Sequence, residues 1–234
     1  DALVTVESGL NDPRVIEEWG CDAVWADDLH HALHVLLTGE QEGYYEDFGA
    51  IEQLAQAFRE PHISFGKPGG HLPPERFIVF AQNHDQVGNR AFGDRLAPED
   101  LRVAAACVLF SPYTPMLFMG EEYGEAAPFQ FFCDHIDEDI AVATRDGRRR
   151  EFAGFAGFAA EDVPDPQAPS TFEASKLTRV EEPGLRDEYK RLLALRKERG
   201  PEEQVEHVED WIVVRRAGAT LEVDFTAKTA EIRR

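Results

Sequence analysis

Four short apolar runs, each closing on acidic or amide residues and separated by helix-patterned stretches, constrain this chain more than any other feature. "ALVTVE" (2–7), "DAVWADD" (22–28), "RFIVFAQ" (76–82) and "TPMLFMGEEYG" (114–124) read as strands. The third run has no alternation of polar and apolar residues, which predicts a strand buried on both faces, as in a parallel sheet. Between the runs, "NDPRVIEEWG" (11–20) predicts a short helix with Asp12 as N-cap, Pro13 at the first turn and Gly20 past the end. "FGAIEQLAQAFRE" (48–60) and "APEDLRVAAACVLFS" (97–111) predict amphipathic helices, the latter with Leu101, Ala104, Ala105 and Val108 at helical spacing. Such a βα alternation fits either an open doubly wound sheet or part of a (β/α)8 barrel. Both place their chemistry at the carboxyl ends of the strands. The residues that end these strands are Glu7, Asp27 with Asp28, His84 with Asp85, and Glu121 with Glu122.

Beyond the fourth run the expectation is a long loop rich in Phe, Gly, Asp and Pro, reaching about residue 183. Its "DGRRREF" (146–152) reads as a solvated loop rather than a basic patch. "GLRDEYKRLLALRKERG" (184–200) predicts a helix stopped by Gly200. The period then changes, and "WIVVRR", "TLEVDF" and "AEIRR" (211–234) predict short antiparallel strands of a small β module. "FGKPGGH" (65–71) follows a helix and precedes a strand, so it reads as a turn and not as a phosphate loop. No internal repeat is visible.

The net charge of −21, from 45 acidic against 24 basic residues, argues against nucleic acid and anionic membranes as partners, since the protein's own field repels phosphates. No stretch approaches the roughly 18 apolar residues of a membrane span, and no secretory leader opens the sequence. The three cysteines, Cys21, Cys107 and Cys133, are too scattered for a disulfide framework or a CxxC site, which points to a reducing cytoplasm. The chain opens on Asp1 rather than Met, and an upstream part is expected.

Acid pairs on one rim suit glycoside hydrolysis, in which one carboxyl protonates the leaving oxygen and another attacks or stabilises the oxocarbenium-like carbon. Strand-end acids also serve as helix caps or face solvent, so position alone does not choose between the uses. Trp25, Tyr44, Tyr45, Phe129, Phe131 and Phe132 fall in the loops where sugar rings would need flat apolar partners. In "DDLHHALH" (27–34), His30 and His34 share a helix face near Asp27, but the pattern is not HExxH and no third ligand cluster follows, so no metal is expected. Hydrogen bonding to sugar hydroxyls or to the neighbouring acids is the better use of these rings. GxSxG, GxxxxGK[ST] and GxGxxG are all missing from the sequence, and no cofactor is expected.

"ESGLNDPRV", "WADDLHHALHVLLTGEQEGYYEDF", "FAQNHDQVGNRAFGDRL", "PMLFMGEEYGEAAPFQFFCDH" and "GRRREF" together resemble the malto-oligosyltrehalose trehalohydrolase family of the α-amylase superfamily. The likeness runs in order through most of the chain, to the helix around Leu192. It implies the second half, strands five to eight, of a (β/α)8 barrel over residues 1–199, followed by a short antiparallel β domain over 200–234. It further implies retaining hydrolysis of the α-1,4 bond next to a terminal trehalose unit, with a malto-oligosaccharide ending in trehalose as partner. On the resemblance Glu7 is the general acid/base, Asp85 the acid that stabilises the transition state, and His84 a ligand of the reacting sugar. Asp28, Asn83, Gln86 and Arg90 would contact substrate or orient the acids. The family's nucleophile, an aspartate in an Arg-x-Asp context on the fourth strand, has no match here. The resemblance thus implies a piece that lacks the N-terminal half of its barrel, without hydrolase activity alone. A branching-enzyme-like transglycosidase, a non-catalytic carbohydrate-binding remnant and a plain α/β interaction protein remain as alternatives.

Overall fold

The computed structural model describes residues 2–153, 159–197, 203–216 and 218–234, and they form two compact units. The first comprises 1–81, 97–117 and 183–234, and the second comprises 82–96 and 118–182.

The first unit holds a four-stranded parallel sheet in the order β1-β2-β3-β4, made of β1 (Thr5–Val6), β2 (Ala23–Trp25), β3 (Phe77–Val79) and β4 (Thr114–Pro115). All four strands are shorter than the apolar runs that announce them. The flanking residues keep the hydrophobic pattern but leave the ladder, because two registered pairs per interface exhaust the pairing. Val24, Phe77 and Val79 share one face and are fully buried, whereas Trp25 and Ile78 on the other face are only half-buried, which corrects the expectation of a strand buried on both faces.

Three helices of this unit come first in the chain, α1 (Arg14–Glu17), α2 (Asp28–Thr38) and α3 (Ile51–Ala57). Asp12 receives the Arg14 N–H at 3.1 Å, fulfilling the capping role one residue further out than a standard N-cap. Helix α2 ends at Gly39 in the left-handed conformation. The 61–70 loop is latched by side chains. Asp28 accepts hydrogen bonds from the Ile63 and Ser64 N–H groups and the Ser64 hydroxyl, and Glu60 accepts from the Gly69 and Gly70 N–H groups. Gly66, at φ +91°, is required there, since a Cβ would stand 2.3 Å from the Asn11 carbonyl oxygen.

The helix expected over 97–111 is helix α5 (Pro98–Phe110), after the five-residue helix α4 (His84–Gly88) of the second unit. Ten of its residues are buried because α2, a C-terminal helix and a second sheet all pack on it. That sheet is antiparallel, with β5 (Glu203–Val208), β6 (Trp211–Arg216), β7 (Ala219–Asp224) and β8 (Thr229–Arg233) in sequential order. Ile212, Val214, Leu221 and Val223 alternate onto its buried face. Strand β5 was not expected, because "EQVEHV" buries only Val205 and otherwise reads as polar.

In the second unit the long loop expected after residue 124 is corrected to a segment interrupted by helices. It contains α6 (Glu138–Phe152) and α7 (Pro169–Ala174). "DGRRREF" therefore forms the last two turns of α6 rather than a solvated loop. The helix was masked in the sequence by a polar face, but Asp137 caps it by accepting from the Asp139 and Ile140 N–H groups. Back in the first unit, α8 (Leu185–Arg196) is the expected C-terminal helix, and its predicted terminator Gly200 lies outside the described residues.

Candidate active site

In the first unit Glu7 is the residue directly after β1, and it is exposed. Parallel pairing puts the carboxyl ends of β1, β2 and β3 on one edge of the sheet, so Glu7 leaves the sheet where chemistry is placed in α/β folds. Asp28 opens helix α2 after β2 and is 1% exposed. Both of its oxygens are engaged by residues 63 and 64, and His31 Nδ1 stands 3.8 Å from Oδ1. Burial raises its pKa, but the hydrogen bonds from His31, Ser64 and Ile63 outweigh that and hold the carboxyl below its ordinary range.

The three imidazoles of α2 are placed by hydrogen bonds and rings. His30 Nδ1 lies 2.7 Å from the Ala81 carbonyl oxygen, which can only accept, so Nδ1 carries a proton. Its Nε2 lies 3.0 Å from the Tyr45 hydroxyl. His34 stacks on Tyr45 at 4.4 Å and meets Glu40 through Nε2 at 3.0 Å. Through Ala81 this cluster fixes the chain as it leaves β3. Trp25 packs edge-on against Phe80 at 5.6 Å, whereas Tyr44 is 83% exposed. His62 is 4% exposed, and burial lowers its pKa against the opposing charges of Asp28 and Glu60, so it is neutral at pH 7.

In the second unit Asn83, His84, Asp85, Gln86 and Arg90 form one continuous element. Asn83 is buried and accepts the Gln86 N–H at 2.7 Å, which sets the first turn of α4. His84 and Asp85 occupy the first two helical positions, with His84 Nε2 3.4 Å from Asp85 Oδ1. His84 is exposed, and Asp85, Gln86 and Arg90 are half-buried. Gly93, at φ +69°, lets the 129–130 backbone pass, since a Cβ would lie 2.4 Å from the Phe129 carbonyl oxygen. Phe118, Phe129, Phe132 and Phe172 form an edge-to-face series at 5.1–5.9 Å.

Two features of this unit carried no legible signal. Glu125 is buried with four donors on its carboxylate, yet it is one of 45 acids in the sequence. Arg148 contacts the 89–90 backbone from a run that read as solvated. Among the described residues, no helix is long and apolar enough to cross a membrane.

The architecture is therefore α/β, with a parallel and an antiparallel four-stranded sheet, and it matches part of α-amylase-type structures. A Salmonella typhimurium protein provisionally assigned as an alpha amylase is 38% identical at a TM-score of 0.78, covering 94% of this chain and 44% of that one. Cyclic alpha-maltosyl-(1→6)-maltose hydrolase from Arthrobacter globiformis, at 13% identity and TM-score 0.53, shares the fold. In sequence, the chain is homologous to malto-oligosyltrehalose trehalohydrolases. The Saccharolobus solfataricus enzyme is 38% identical over all of this chain and 44% of its own length. The Arthrobacter ramosus enzyme is 46% identical over 82% of this chain and 38% of its own length. The chain thus spans less than half the length of these curated relatives. No protein-family model matches it.

Proposed function

We propose that this chain supplies strands five to eight of a retaining (β/α)8 glycoside hydrolase over 1–199, and a short antiparallel β domain over 200–234. Its substrate is a malto-oligosaccharide ending in trehalose, cut at the α-1,4 bond next to the trehalose unit. The observation that carries this reading is local. Glu7 stands directly past a parallel strand, and a capped turn presents His84 and Asp85, in a chain homologous to trehalohydrolases.

Glu7 protonates the departing glycosidic oxygen as that bond breaks. In the second step its carboxylate takes a proton from water as the water attacks the anomeric carbon. The carboxylate that holds the sugar covalently between these steps is the Arg-x-Asp aspartate, which these 234 residues do not match. Asp85 balances the positive charge that develops on the sugar, and His84 donates to a hydroxyl of the reacting ring. Gln86 and Arg90 contact substrate, and Asn83 orders the turn that holds the acid. Asp28 acts at one remove, because its oxygens already hold the 61–70 loop.

The test is incubation of maltotriosyl-trehalose with the polypeptide that carries this sequence, as wild type and as Glu7→Gln. Free trehalose is expected, with the new reducing end retaining its anomeric configuration, and with kcat lower by about 10²–10⁴-fold in the variant. New α-1,6 branches without trehalose would favour a branching enzyme instead. Saturable binding that survives Glu7→Gln, with no turnover in either protein, would favour a carbohydrate-binding remnant. Trehalose release by the 234-residue chain alone, at the rate of its longer relatives, would overturn the assignment of the nucleophile to a segment outside it.

A further inference from the structure

We infer that Arg148 is a positioning residue that holds the His84–Asp85 turn from behind, by clamping the carboxyl-terminal end of helix α4. The inference rests on the reading of His84 and Asp85 as site residues, and every group it uses lies within the second unit.

Helix α4 has five residues, far fewer than an isolated helix needs to persist in water. It must be held at both ends. Asn83 holds the front by accepting the Gln86 N–H. At the back, the carbonyls of Asn89 and Arg90 follow the last turn; the Gly93 N–H reaches the Arg90 oxygen at 3.3 Å, and the remaining acceptor capacity needs further donors. The Arg148 guanidinium supplies them, with Nη1 and Nη2 each 3.3 Å from the Asn89 oxygen and Nη2 3.1 Å from the Arg90 oxygen.

The guanidinium is itself fixed. Its carbon lies 5.1 Å from the centre of the Phe131 ring and 4.8 Å from that of Phe152, and Nη1 pairs with Glu151 Oε2 at 2.9 Å. Phe152 and Glu151 stand four and three residues further along α6, the spacings at which helical side chains meet. The side chain is only 10% exposed. A guanidinium can rest on aromatic rings while its N–H groups bond carbonyls in its own plane, and an ammonium has no such plane. Arg148 thus locks two backbone oxygens at the end of the short helix whose first residues are His84 and Asp85.

The experiment uses the 234-residue chain as wild type, Arg148→Ala and Arg148→Lys. Two readings are taken: amide exchange at Val87, Asn89 and Arg90, and the NMR signal of the His84 ring Cε1–H. In Arg148→Ala the three amides should exchange about tenfold faster or more, while those of α5 in the other unit stay unchanged. The His84 signal should move, and added methylguanidinium should restore both readings. Arg148→Lys should recover only a minor part of the protection. If Arg148→Ala does not fold, the lysine variant carries the same readings. Full protection and an unmoved His84 signal in either variant would overturn the inference. Neither reading needs substrate. Unchanged trehalose release from His84→Ala and Asp85→Ala variants of an active longer polypeptide would retire the assignment of His84 and Asp85, whereas unmoved exchange retires the role of Arg148.

Discussion

Glu125 is 4% exposed and stays charged because donors surround it: the Thr178 hydroxyl, the Ala127 and Arg179 N–H groups and the Tyr123 hydroxyl. Burial alone would raise its pKa, but these bonds outweigh it and bring the carboxyl down from its usual 4.5 to about 2. The unfolded chain takes up a proton near pH 4.5 that the folded chain refuses until about pH 2. The contribution of Glu125 to stability is therefore complete above pH 4.5 and is lost as pH falls toward 2. Glu125→Gln should remove that part of the slope when thermal melts of the second unit are followed over this window. An unchanged slope would mean that the four donors do not distinguish the charged from the neutral group. Nothing in "GEEYGE" (120–125) separates Glu125 from its neighbours, since what singles it out is the return of residues 178 and 179 to the same place. The turn at Asn83 is local by contrast, closed by the Gln86 N–H three residues further on.

Helix α5 illustrates what sequence periodicity can and cannot say about an element. Its limits follow from Pro98 and from the end of the apolar pattern, and it forms over Pro98–Phe110 as read. The extent of its burial does not follow, because that comes from α2 before it and from α8, β7 and β8 far later in the chain. One consequence is testable at Cys107, which is 0% exposed and whose thiol burial pushes up to about 12. An aromatic disulfide reagent at pH 8 should modify Cys107 only at the rate of unfolding, with urea accelerating it in step with the loss of helix signal. Labelling in native buffer as fast as for the half-buried Cys21 would show that α5 opens independently. Helix α6 marks the opposite limit. Its buried apolar residues are few, so its polar sequence resembled a loop, and the local signals were its capping Asp137, the acids of its first turn and the arginines of its last.

At the scale of the whole molecule, the parallel sheet has two outer strands that pair on one side only among the described residues, β1 with β2 and β4 with β3. Leu3 is 85% exposed and Val4 49% exposed beside β1, and Trp19 and Leu10 add further apolar surface. Unpaired strands with apolar flanks invite pairing with another chain. The 234-residue chain should therefore self-associate as its concentration rises, measured by light scattering after size-exclusion chromatography. Leu3→Lys with Val4→Lys should shift it toward monomer, and a wild-type chain monomeric at high concentration would show that these edges are protected. The sequence announced the four parallel strands by their apolar runs, but not how few residues of each run pair, because pairing ends where the neighbouring strand ends.

The turn after α5 is gripped twice. Arg196 of α8 donates to the Leu109, Ser111 and Tyr113 carbonyls, and Arg216 of β6 donates to those of Phe110 and Ser111. Burial, with the neighbouring Arg216 charge, lowers the Arg196 pKa to about 10, so Arg196 remains a cation at neutral pH. Two like charges are tolerated side by side because the carbonyls ending α5 face them. This bears on how such chains descend. A recombination that exchanged the C-terminal strands for those of a distant relative would have to bring an arginine at the position of Arg216, or leave the Phe110 carbonyl without its arginine donor. The small antiparallel sheet is thus bound in heredity to the helix beneath it, and the two should be lost or kept together.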